Sequence, residues 1–176
     1  SDGDTKAMRR ILTDVDGDGR TDIVTGYPET AQLEVTFQSA DGSLSRTVAY
    51  PTLSGLNSLA AIDIDGDGHN EILISSSKEK ALGVSRWKDG RLQIPETWTL
   101  TGAPLLVAAA PGRKSTKDGE TSGGDRAFVI TRGEKETIDL QVLELLADGK
   151  ITMENYRRQI QLWAGSVEDF SGYLYD

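Results

Sequence analysis

"DVDGDGRTDI", residues 14–23, puts four carboxylates and two glycines into nine positions. "DIDGDGHNEI", residues 63–72, repeats the pattern, with Glu71 where the first copy has Asp22. Acids at positions 1, 3, 5 and 9 would share one face of a straight strand but lie about 6.6 Å or more apart along it, so they cannot all converge on one cation. They can if the backbone curls, and Gly17, Gly19, Gly66 and Gly68 permit the curl. An all-oxygen, carboxylate-rich donor set suits a hard cation. Calcium accepts about six to eight oxygens in loose geometry, whereas magnesium demands a tight octahedron and keeps its waters. Zinc is disfavoured, since the chain has no cysteine and His69 is its one histidine. The side chains of Asp14, Asp16, Asp18 and Asp22 are therefore read as calcium ligands, with the seventh position, Arg20, giving its main-chain carbonyl. Asp63, Asp65, Asp67 and Glu71 form the second set, with the carbonyl of His69 and its ring in solvent. About two calcium ions per chain are expected, with waters completing each shell. A solvated acidic turn without metal is the competing reading, and seeing the pattern twice weighs against it.

The flanks say what the loops join. "DIVTG" and "EILIS" at their ends are β-branched and apolar, which suits strands, and "RILT" and "LAAI" before them also read as extended. A helix–loop–helix calcium hand would need an acid at position 12, where Thr25 and Ile74 stand. Each loop thus connects strand to strand, and the ninth-position acid opens the second strand.

The loops start 49 residues apart, and the segments after them also correspond. "LEVTFQSADGSLSRTV" (33–48) matches "LGVSRWKDGRLQIPETW" (82–98): an apolar alternation runs to an Asp-Gly pair and then to another strand, a hairpin signal. The pairs are Asp41-Gly42 and Asp89-Gly90, and a third is Asp148-Gly149. The third unit's front end differs. "VAAA" and "AFVIT" resemble the strands around a loop, but a polar, glycine-rich insertion at 111–125 replaces the acidic pattern. Asp118, Glu120 and Asp125 remain there without the spacing, so no calcium of the same kind is expected, and the insertion reads as an exposed, mobile loop.

A period near 50 with four short strands per unit fits β-propeller blades. The expected fold is all-β, one repeat domain over 1–176, with four antiparallel strands per blade and units at about 11–59, 60–107 and 108–172. Asp176 falls where a fourth loop would open, which makes 173–176 either the start of a fourth unit or a plain terminus. Closed propellers have about four to eight blades, so about three units are expected to be part of a larger propeller or to need another subunit. "ENYRRQIQLW" (154–163) is read as strand, because it comes after Asp148-Gly149 where the other units have strand.

The D-x-D-G-D-G-x-x-[DE] loops at 14–22 and 63–71 resemble those of FG-GAP/VCBS repeats, the calcium-binding blades also found in integrin α-subunit propellers. The loop match is full in two units and absent from the third. The resemblance implies a seven-bladed propeller in the full protein, a secreted, periplasmic or cell-surface setting, and a role in adhesion or ligand binding. A bacterial envelope protein fits it better than an integrin.

Composition bounds the rest. The chain has 176 residues, long enough for one domain with a real core, and 27% charged residues. Its formal net charge of −9 disfavours nucleic acid, whose phosphates want a basic face. Eight of its 28 acids sit in the two loops, so two divalent cations would bring −9 to −5. No apolar run approaches the ~20 residues of a membrane span, and no signal peptide is visible at Ser1. No hydrolase elbow, phosphate loop or zinc motif appears, and carboxylates holding calcium are not free for acid–base work, so the chain is read as no enzyme. The expected role is a non-catalytic binding module for a protein or carbohydrate ligand. Trp87, Trp98 and Trp163 would stack on sugar rings in a lectin-like alternative, though packing between strands is the commoner fate of such residues. An accessory domain of a secreted enzyme is a further alternative.

Overall fold

The computed structural model describes residues 8–112, 124–133, 137–146 and 149–157. The expectations for the middle of the insertion, for Trp163 and for a fourth unit at 173–176 lie outside these residues. The described chain is all-β. β1 (Arg9–Thr13), β2 (Asp22–Tyr27), β3 (Gln32–Gln38) and β4 (Leu44–Pro51) form a four-stranded antiparallel sheet in chain order. A second sheet holds β5 (Leu56–Ile62), β6 (Glu71–Ser76), β7 (Ala81–Ser85) and, at its outer edge, β10 (Glu96–Thr99). The third runs β11 (Ala103–Ala110), β12 (Arg126–Arg132), β13 (Ile138–Leu145), β14 (Ile151–Arg157).

Period-2 alternation explains how the sheets stack. On β6, Ile72 and Ile74 point into a core with Val24, Leu33 and Val35 of the first sheet. Leu73, between them, points the other way, into a core with Ala127, Val129 and Leu143 of the third. Every residue of β6 and β7 is buried, as expected of strands covered on both faces. The first strands of neighbouring sheets lie beside one another, β1 against β5 and β5 against β11. Four-stranded antiparallel meanders stacked face to face, with their first strands gathered on one side, are arranged as consecutive propeller blades. The described sheets do not close a ring, which fits a partial propeller.

The hairpin signals are resolved unequally. Asp41-Gly42 turns β3 into β4, with Gly42 at φ 82°. Asp89-Gly90 instead closes a two-stranded ribbon of β8 (Trp87–Lys88) and β9 (Arg91–Leu92), separate from the second sheet. Both turn residues have positive φ, 53° and 73°, the geometry of a tight two-residue hairpin. The sheet's fourth strand is β10, which comes after Pro95. The Asp-Gly pair thus marks a turn in both units, but in the second unit the turn belongs to an inserted ribbon. Glu154–Arg157 of "ENYRRQIQLW" is strand, and the remainder of that stretch lies outside the described residues.

Candidate metal centre

The acidic loops occupy equivalent places. Residues 14–21 join β1 to β2 and residues 63–70 join β5 to β6, where Thr13 pairs with Asp22 and Ile62 with Glu71. Each loop is anchored by its second residue. Val15 is buried in the first core and Ile64 in the second. The ninth-position acid ties down the same residue: Val15 N donates to Asp22 Oδ2 at 3.0 Å, and Ile64 N donates to Glu71 Oε2 at 2.9 Å. Asp22 also accepts from Gln38 N at 3.0 Å, which links the loop to β3.

The first-position acids hold the curl. Asp14 accepts from Gly17 N (2.9 Å) and Gly19 N (2.8 Å), and Asp63 accepts from Gly66 N (2.8 Å) and Gly68 N (3.0 Å). Gly17 and Gly66, both at φ 75°, take the left-handed conformation that the curl requires. The fold draws Asp14, Asp16 and Asp18 together, with one carboxylate oxygen of each within 4.8 Å of the others. It does the same for Asp63, Asp65 and Glu71. Asp22 is outside the first group, and both its oxygens accept main-chain N–H groups. Asp67 is outside the second, and its carboxylate accepts from His69 N at 2.7 Å. The guanidinium of Arg20 pairs with Asp18 while its Nε donates to the Gln38 carbonyl at 3.0 Å.

These groups carry the electrostatic cost of crowding. Burial, reinforced by Asp18 and Asp22, raises the Asp16 carboxyl above its ordinary value. Burial and Asp67 do the same at Asp65. Glu71 is pushed up from 4.5 to about 7, chiefly by burial, against the opposing hydrogen bond from Ile64. Arg86 offsets part of this, with Nε 4.0 Å from Asp65 and Nη1 3.2 Å from Glu96. Between pH 4.5 and about 7 the folded chain therefore holds more protons at Glu71 than the unfolded chain does, so its stability falls as pH rises through that window. Urea unfolding in EGTA should show this fall, and Glu71→Gln, which keeps an oxygen for Ile64 N, should flatten it. Stability that rises across the window would contradict the assignment.

The clustered donors are all carboxylate oxygens, they sit on glycine-curled loops, and their charge is only partly offset by Arg20 and Arg86. This donor set fits a hard divalent ion such as calcium.

Sequence reasoning missed how the loops meet. His69 is exposed as a residue, yet its ring rests on the first loop, where Nδ1 would lie 3.0 Å from a β-carbon added to Gly17. Asn70 Nδ2 donates to Thr13 Oγ1 at 3.2 Å. Between the loops lies a cleft of ≈ 250 Å³ bordered by Asp16, Asp65, Asp67, His69, Glu71 and Trp87. Trp87 packs edge-on against Phe37 and Tyr50, with centroids 5.6 Å and 6.3 Å away, and Trp98 packs on the second core. The apolar second position, shared by both loops, was the one signal in the sequence for Val15 and Ile64. Asn70, Arg86 and Asp125 had none.

Residues 14–74, from the first loop through most of β6, match the family model of the FG-GAP-like repeat. No curated protein matches the chain.

Proposed function

We propose, for a chain that carries an FG-GAP-like repeat over residues 14–74, that it is a calcium-stabilised, non-catalytic propeller segment serving as a binding or adhesion module outside the cytoplasm. The observation that carries this reading is the pair of carboxylate clusters, Asp14/Asp16/Asp18 and Asp63/Asp65/Glu71, each at the root of a sheet's second strand. A cation there would neutralise mutual repulsion and fasten strand to strand, and its binding energy would add to folding, because the unfolded chain lacks the assembled site. Asp14, Asp16, Asp18, Asp63, Asp65 and Glu71 would hold the ions. Asp22 and Asp67 would shape the loops through their main-chain partners, and the carbonyls of Arg20 and His69 would complete the donor sets.

An extracellular or envelope setting supports modest sites, since extracellular calcium modules bind in the range of about 10⁻⁴–10⁻³ M. None of the described residues forms a helix long and apolar enough to cross a membrane. Trp87 and Trp98 spend their rings between sheets, which favours a protein ligand over stacked sugars. The ligand would be met by the sheet edges and loops, and further blades or another subunit would complete the ring.

Calorimetric titration of calcium into the EGTA-stripped chain should return about two sites, with magnesium binding at least about tenfold more weakly. No calcium binding, or a preference for zinc, would overturn the reading.

A further inference from the structure

The third sheet has no loop of the acidic pattern, yet it reaches the second loop with an acid of its own. Asp125 stands one residue before β12, and it grips both main-chain polar groups of Asp63. Asp63 N donates to Asp125 Oδ2 at 3.1 Å, and Asp125 N donates to the Asp63 carbonyl at 2.5 Å. The approach is close beside the pair as well. A β-carbon on Gly124, which is buried, would collide with the Ile64 carbonyl, so only glycine fits there.

Asp63 is the residue whose carboxylate curls the second loop by accepting from Gly66 N and Gly68 N. Bonding both its N–H and its carbonyl to one partner fixes the backbone from which that carboxylate projects. The first loop is braced from the equivalent place. Asn70, one residue before β6, donates to Thr13 Oγ1 beside Asp14. In both cases the residue preceding a sheet's second strand secures the root of the preceding sheet's acidic loop.

We propose that Asp125 is a positioning residue of the second cation site: it orients Asp63 through the main chain and does not itself hold the ion. The third unit thus has no acidic loop of this pattern but supplies an acid that braces its neighbour's. This inference rests on the reading of the loops as cation sites.

The test uses the full chain, with calcium titrated calorimetrically and terbium followed by tryptophan-sensitised luminescence. Asp16→Ala silences the first loop, so that the remaining site is the second. In that background Asp125→Ala should weaken the remaining site by ~10- to 100-fold, the usual cost of losing a partner that orients a ligand. Asp125→Asn keeps an oxygen for Asp63 N and should retain affinity within about threefold. Asp125→Ser, one bond too short to reach, should behave like the alanine variant and serves if that variant does not fold. In the parent with both loops intact, the Asp125 variants should still fill the first site normally. Unchanged affinity in Asp125→Ala and Asp125→Ser overturns the inference while leaving the cation reading in place. Equal weakening in Asp125→Asn also overturns it, because charge rather than the hydrogen bond would then be at work. Failure of the unaltered chain to bind calcium or terbium removes the cation reading itself and the inference with it.

Discussion

Stripping the chain with EGTA is expected to lower its melting temperature by roughly 5–20 °C relative to about 10 mM calcium. A ligand that binds only the folded state stabilises it by about 1.4 kcal/mol at a tenfold and about 2.7 kcal/mol at a hundredfold excess over its dissociation constant, so two such sites contribute about 3–5 kcal/mol. A chain of this size shifts by about 2–4 °C per kcal/mol. The physical source is the crowding already described: raised carboxyls at Asp16, Asp65 and Glu71 mark negative charge that the apoprotein tolerates at a cost. Differential scanning calorimetry in calcium, magnesium and EGTA would measure the shift. Equal melting in all three would mean that the loops carry no stabilising cation, and the acids would have to be explained as surface charge.

Replacing Asp22 with alanine is expected to cost about 2–5 kcal/mol even without calcium. Asp22 is 1% exposed, and its two oxygens satisfy Val15 N and Gln38 N. Truncation leaves the buried Val15 N and the half-buried Gln38 N without this acceptor, at a cost of about 1–3 kcal/mol for a fully buried donor and less for the other. It also frees the loop from both β2 and β3. Asp22→Asn keeps one acceptor and should fall between the parent and alanine. Asp16→Ala is the contrast, because Asp16 accepts only a long bond from Asp18 N at 3.3 Å. Its loss should matter little in EGTA and much more in calcium. Urea unfolding of the three variants with and without calcium would separate the roles. An Asp22→Ala variant as stable as the parent in EGTA would show that the ninth-position acid is not the tie that its two bonds indicate.

The strand–loop–strand units could be read from the sequence because local signals agreed there. β-branched runs flank both loops, glycines sit where φ turns positive, and the acids keep one spacing. The all-β class and the antiparallel sheets followed from the same residues. The sequence was a poorer guide where the outcome depends on stacking. The ring of His69 meets Gly17, 52 positions away, and Asp125 meets Asp63, 62 positions away. No local pattern records such contacts, since they exist only once sheets lie face to face. Asp125 in particular looked like a remnant of a missing calcium loop, when its partner is the main chain of the neighbouring unit. The two main-chain hydrogen bonds that Asp22 accepts were hidden for a related reason. Equal spacing of the acids does not say which of them also caps backbone N–H groups. The ribbon of β8 and β9 was misplaced because Asp-Gly announces a tight turn without saying which sheet the returning strand will join.

The burial of β6 on both sides has a consequence for how such a chain can change over generations. Six consecutive positions, Glu71 to Ser76, offer no side chain to solvent, so drift there is confined to residues that fit two cores at once. β4 and β10, whose side chains are mostly exposed, and the connecting turns are where substitutions can accumulate. A new sheet can be gained by duplication only if both faces of the copy find matching neighbours. The heritable unit of growth is therefore a sheet together with the two surfaces that receive it.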